Sequence, residues 1–205
     1  MAKNTNPDCK QCRREGCKLF LKGERCLTKC SFDKRPVVPG QHGASRKKFS
    51  EYGVQLREKN KVRRAYGLLE KQFRIYYEKA TNSKEATGWA LLKMLELRLD
   101  NVVYRLGLGS SRSEARQIVN HGHITVNGKK VNIPSYQVKV GDVIAVKDNK
   151  QSLEMFASLK GAKVNTPKWL EFSTDSLTGK VLVLPERDDI DLGIQEHLIV
   201  EFYSR

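Results

Sequence analysis

The stretch from residue 97 to 147 constrains the fold more tightly than any other part of the chain. Leu99, Val102, Val103 and Leu106 recur at helical spacing, continuing a pattern begun at Trp89, Leu92 and Leu95. The pattern stops at Gly107, a residue that ends helices readily because it tolerates a left-handed backbone. Ser111-x-x-Glu114 has the form of a capping box, in which a hydroxyl and a carboxylate satisfy the free N–H groups of a new helix. That short helix stops at Gly122. His123-Ile124-Thr125-Val126 then alternates as a strand, and Asn127-Gly128 is a hairpin signal because a type I′ turn needs positive φ at both central residues. Lys129-Lys130-Val131 returns, and Gly141-Asp142 turns into a further strand from Val143 to Lys147. The spacing predicts a helix–helix–hairpin module with Arg112, Arg116, His123, Lys129 and Lys130 around one helix start and one hairpin. Guanidinium forks suit phosphate oxygens, and a helix N-terminus adds unpaired N–H groups. His121 and His123, each taken singly, read as structural.

Charge says what such a module faces. The chain has 205 residues, 38 Lys+Arg and 23 Asp+Glu, a net charge of +15. Residues 1–80 hold 21 cations against 8 anions, residues 81–150 hold 11 against 6, and residues 151–205 hold 6 against 9. A field this uneven points to a polyanion beside the first half, with nucleic acid ahead of an anionic membrane. No apolar run approaches the ~20 residues of a membrane span, and the start, Met1 to Thr5, has no apolar secretory segment.

From 49 to 80, Phe49, Tyr52, Leu56, Tyr66, Leu69, Phe73 and Tyr76 fall at helical spacing. Arg57, Lys59, Lys61, Arg63, Arg64 and Arg74 lie between them, so one or two amphipathic helices with a basic face are expected. The loop before them carries Gln41 and His42 within Pro39-Gly40-Gln41-His42-Gly43, then Arg46-Lys47-Lys48, whose N–H groups and cations can track phosphates. Downstream, 148–175 reads as a connector with an amphipathic segment at Leu153, Phe156 and Leu159 and an extended stretch at Trp169 to Phe172. Residues 180–184 read as a buried strand, 188–191 as an acidic loop, and Ile194 to Tyr203 as a helix packed on 49–80.

All five cysteines lie between positions 9 and 30. Cys9-x2-Cys12 and Cys26-x3-Cys30 are two close pairs, each able to offer two thiolates to one ion and together a tetrahedral sulfur shell. Zn²⁺ suits this donor set best; a four-cysteine iron–sulfur cluster is chemically allowed. Cys17 is either a spare thiol or a substitute for one of the four. Residues 1–45 hold too little apolar material for a core, so a metal there would be structural.

No phosphate-cradling Gly-rich loop ending in Lys-Ser/Thr, G-x-S-x-G or HExxH motif occurs, so catalysis is not expected. An RNA-modifying enzyme would need a further domain, and the residues after Lys147 are too few and poor in motifs. A zinc-dependent DNA-binding regulator would need a recognition helix framed by the cysteines, but Gly16 and Gly23 break residues 13–25.

Leu99-Asp100-Asn101-Val102-Val103-Tyr104-Arg105-Leu106-Gly107, Ser113-x-Ala115-Arg116 and Gly122-His123-Ile124-Thr125-Val126-Asn127-Gly128 resemble the small RNA-binding module named after small-subunit ribosomal protein four. Pro39 to Gly43, Leu56-Arg57-Glu58-Lys59, Arg64-x-Tyr66-Gly67, Gln72-Phe73-Arg74 and Val200 to Arg205 extend the resemblance to the bacterial ribosomal-protein-four family over nearly the whole chain. The resemblance implies an α+β fold: a metal-stapled arm with a basic loop (1–45), a mostly helical domain (46–95) completed by the tail (176–205), and an inserted module (96–175). It implies a cytoplasmic constituent of the small ribosomal subunit that binds the 5′ domain of 16S ribosomal RNA, nucleates assembly and influences decoding accuracy. Implied partners are ribosomal protein five of the small subunit and mRNA where it enters the ribosome, with neither DNA nor membrane. Members that bind metal carry four matching cysteines, their last pair usually one residue wider than Cys26-x3-Cys30. A non-ribosomal RNA-binding regulator is the alternative.

Overall fold

The computed structural model describes residues 4–45, 48–161 and 164–205. The chain forms two compact units, Met1–Leu92 with Asp191–Arg205, and Lys93–Ile190. The domain boundary expected at 175/176 therefore moves. It would fall between two strands that pair with each other, β4 (Leu170–Ser173) and β5 (Thr178–Val181), and the chain leaves that unit only after Ile190.

The first unit begins with short helices: α1 (Asp8–Glu15), α2 (Arg25–Thr28) and α3 (Ser31–Lys34). The long basic pattern becomes α4 (Glu51–Ala65) and α5 (Glu70–Thr81). Ser50 caps α4 by accepting from the Gly53 N–H at 3.2 Å, and Gly67 at φ 64° takes the chain round to α5. Of the apolar stripe, Tyr66, Phe73 and Tyr76 are buried, whereas Phe49 and Tyr52 are exposed. The tail forms α10 (Glu196–Tyr203), which packs on α4. Gln55 donates to the Glu201 carboxylate at 3.0 Å, the Tyr77 hydroxyl to the Val200 carbonyl at 3.4 Å, and the Tyr203 hydroxyl to Glu70 at 2.8 Å.

The single helix expected up to Leu106 is two: α6 (Thr87–Glu96) and α7 (Leu99–Arg105). Arg98 is extended between them and bridges to Gln137, while the N–H groups of Leu99 and Asp100 donate to the carbonyls of Tyr136 and Pro134. α8 (Arg112–Asn120) follows, with the Ser111 hydroxyl accepting from the Glu114 N–H. The Glu114 carboxylate reaches back to the Ser110 N–H and hydroxyl, at 2.7 and 2.6 Å, and not to Ser111 as a capping box would have it. Asn127, at φ 51°, and Gly128, at φ 77°, turn β1 (Ile124–Val126) into β2 (Lys129–Lys130). With β3 (Val143–Val146) these strands and the β4–β5 pair form a five-stranded antiparallel sheet, in the order β2-β1-β3-β5-β4. Leu99, Val102, Val103, Leu106, Ile118, Ile124, Ile144, Phe156, Trp169 and Val181 form one apolar cluster with their neighbours. Each such aliphatic side chain contributes about 1.5–3 kcal/mol by leaving water. Phe156 enters from a one-turn helix, α9 (Glu154–Ala157). The buried strand read at 180–184 is shorter than expected. β5 ends at Val181; the Leu182 N–H still donates to the Trp169 carbonyl at 2.9 Å, but Leu182, Val183 and Leu184 are exposed.

Candidate nucleic-acid interface and cysteine cavity

The cations of α4 do not form a free basic face. Arg57 and Arg64 both engage Glu15 of α1, Arg57 at 3.5 Å. Burial pushes the Glu15 carboxyl up, against the pull of Arg64 and then Arg57. Lys59 is 5% exposed; its ammonium lies 2.8 Å from Glu70 and 4.3 Å from the Phe202 ring centre. Lys61 pairs with Glu58 at 3.2 Å and donates to the Gly193 carbonyl, and Arg63 stands 3.5 Å from Glu70. The expected phosphate-binding role of Lys59 is thus corrected: its charge is spent inside, holding α5 and α10 to α4. Arg74 is exposed, 3.1 Å from Glu78. Glu70 itself sits below the ordinary carboxylate range. Burial raises it, but the hydrogen bonds from Lys59 and Tyr203 and the nearby Lys59 and Arg63 charges more than offset this.

Exposed positive charge lies on the arm and the loop, and on α5 at Lys71, Arg74 and Lys79. Lys10, Arg14, Lys22, Arg25, Lys29, Lys34 and Arg35 are exposed, and because they lie outside any periodic pattern nothing in the sequence but their charge marks them as contacts. In the loop, Gln41, His42 and Lys48 are exposed, while Arg46 and Lys47 lie outside the described residues. Gly43 is there because the Val38 carbonyl lies where a Cβ would stand.

In the second unit, Arg116 is also corrected. It is 5% exposed and donates to Asp100 at 3.2 Å; Arg98 holds the same carboxylate through two bonds of 3.0 and 2.7 Å. Arg116 therefore braces α8 against α7. Arg112 is half-buried, donating to the Asn101 side-chain oxygen at 2.8 Å with its guanidinium 4.6 Å from the Tyr104 ring centre. Lys129 and Lys130 are exposed on β2, and His123 is half-buried just before β1. The structure brings His123, Lys130 and Lys150 near one another, and both lysines act on the His123 ring. Lys150 has no sequence signal beyond its charge.

Cys9, Cys12, Cys26 and Cys30 line one cavity, ringed by Lys22, Arg25 and Lys29. The Lys22 N–H donates to the Cys26 sulfur at 3.4 Å. Burial pushes the Cys12 thiol up; the Leu19 backbone opposes this, and Cys26, Cys9 and Cys30 add to it. Cys17 does not line the cavity. Its charged neighbours are Lys61, Glu15 and Glu58, on and beside α4. Among the described residues, no three His, Cys, Asp or Glu side chains form a closed metal site. The four sulfurs thus share a cavity of the right donor chemistry, and Cys17 stands apart from them.

Two family profiles cover most of the chain: residues 3–96 match the profile described as ribosomal protein S4/S9 N-terminal domain, and residues 97–144 the S4 domain. The small ribosomal subunit protein uS4 of Ruminiclostridium cellulolyticum is 64% identical, with 100% of each chain covered. Those of Caldicellulosiruptor saccharolyticus and Desulforamulus reducens are 61% and 59% identical, again over 100% of each chain.

Proposed function

The chain belongs to the small ribosomal subunit protein uS4 family, and from that premise we propose that it is a structural constituent of the small ribosomal subunit. It binds small-subunit ribosomal RNA and is not an enzyme. The observation that carries this is the full-length match to proteins of that name. The exposed cations of the arm, the 41–48 loop and β2 support it physically. Lys22, Arg25, Lys48, Lys129 and Lys130 would neutralise phosphates, with Gln41 and His42 as loop contacts. Binding through two units lets the protein engage two regions of the RNA through backbone contacts without reading many bases. The RNA element is the 5′ domain of 16S ribosomal RNA, and the protein partner is ribosomal protein five, both carried over from the family resemblance, as is a contact with mRNA where it enters the subunit. Affinity for 5′-domain RNA is expected to fall linearly on a log–log plot against salt, with a slope of roughly −0.7 to −0.9 per neutralised phosphate. A flat salt response, or equal binding to duplex DNA of equal charge, would overturn the reading.

The arm is proposed to hold Zn²⁺ through Cys9, Cys12, Cys26 and Cys30, supported by their shared cavity and the Lys22 N–H to Cys26 bond. Bound there, the ion would supply the cross-link that an arm without a core lacks. Elemental analysis should find one zinc per chain in Cys17→Ser and none in Cys30→Ser. The reverse result would install Cys17 as a ligand, and iron with visible absorption would mark a cluster instead.

A further inference from the structure

Where α8 ends and β1 begins, the second unit carries a pocket of about 150 Å³ lined by Glu114, Gln117, Ile118, His121, His123 and Met155. That is well below the several hundred Å³ of a cofactor pocket. It suits a single planar ring. Gln117 and His121 stand one helical turn apart. The His121 and His123 rings meet edge to face at 5.8 Å, and Phe156 backs His123 at 6.0 Å.

Two observations say what kind of ring. The Nδ1 of His123 is buried with no hydrogen-bond partner. Buried polar atoms in proteins are nearly always paired, so an unpartnered Nδ1 calls for an explanation. Burial, then His121, Lys150 and Lys130, lowers the His123 pKa and so favours the neutral ring, which has one donor and one acceptor nitrogen. A neutral imidazole matches the mixed donor–acceptor edge of a nucleobase and is a poor phosphate ligand. The Glu114 carboxylate, which also lines the pocket while accepting from the Ser110 N–H and hydroxyl, disfavours a phosphate there. Lys130 and Lys150, near enough to act on the His123 ring, have the charge to attract the phosphates of a strand that brings a base here.

We propose that this pocket takes one unstacked nucleobase of the bound ribosomal RNA, with Gln117, His121 and His123 on its edge and Ile118 and Met155 against its face. The proposal rests on the RNA-binding reading and specifies what that surface reads. RNA-binding modules commonly read splayed, unpaired bases in this way.

The chain has four histidines, so its imidazole NMR spectrum is sparse, and His42 and His197 serve as internal controls. Titrating the whole protein with AMP, GMP, CMP and UMP should shift the His121 and His123 signals with at least one of the four. Ribose 5-phosphate at the same concentration should not. Equal shifts with ribose 5-phosphate, or none with any nucleotide, would overturn the pocket. In binding to 5′-domain RNA, a Gln117→Ala, His121→Ala double variant should lose about tenfold in affinity with an unchanged salt slope. A slope reduced by about one would mark a phosphate contact, and wild-type affinity an unused pocket; either would overturn the proposal. If the unmodified protein fails to bind the RNA, the parent reading falls, and the nucleotide titration still decides the pocket.

Discussion

Asp100 holds two buried guanidiniums at once, and this makes it the most sensitive single residue in the second unit. Arg98 is wholly buried and Arg116 nearly so. Removing the carboxylate takes a shared partner from two buried guanidiniums, a loss of about 3–5 kcal/mol by analogy with other buried pairs. Asp100→Ala should therefore be strongly destabilised in urea unfolding, and Arg116→Ala less so, because Arg98 keeps its two bonds to the carboxylate. The opposite order would mean that Arg116, not Asp100, organises the site. Glu70 sets a second prediction. Its folded-state pKa is depressed, so its stabilising contribution is complete at neutral pH and lost as the pH falls through that depressed value. Glu70→Gln should flatten this part of the acid unfolding profile, and Lys59→Met should move the Glu70 carboxyl upward in an NMR titration. None of these pairings was legible in the sequence. Glu15 lies 42 and 49 positions from Arg57 and Arg64, and a charge count along α4 registers the cations without their partners.

At the scale of elements, what is local was readable and what depends on distant pairing was not. Gly107, Ser111, Gly122 and Asn127-Gly128 punctuate the chain through their own backbone chemistry, and the helices and hairpin lie where those residues predict. The break at Leu97-Arg98 has no such residue. It arises because the loop at 134–138 supplies the backbone partners, and nothing in the apolar spacing near Leu95 reveals this. Likewise, Val183 looks like a strand residue, but among the described residues no strand pairs with it. Gly88 gives an element-scale test. It lies in α6, where alanine would gain about 1 kcal/mol of helix propensity. A Cβ there would stand 2.6 Å from the Glu196 Cβ at the start of α10. Gly88→Ala is therefore expected to lower the melting temperature and to raise amide exchange in α10. A more stable variant would show that α10 can shift aside without loss.

For the whole molecule, the division of the chain predicts which parts fail together. Deleting residues 196–205 removes Tyr203 from Glu70, Glu201 from Gln55 and Phe202 from Lys59. NMR signals of α4 and α5 should collapse, while those of β1, β2 and β3 persist, because their core is drawn from residues 97–181. Uniform loss across the spectrum would count against two separately cored units. The same division has a consequence for synthesis. The first unit is begun before Leu92 but completed by residues after Asp191, which leave the ribosome about 5–20 seconds later at ordinary elongation rates. During that interval the second unit can acquire its whole core, while Lys59 still lacks the aromatic cover of α10. A nascent chain of this protein thus matures out of order, its middle before its beginning. A chain that stops short of α10 lacks the helix that seals the first unit, so the grip on RNA through that unit is reserved for chains translated past Tyr203.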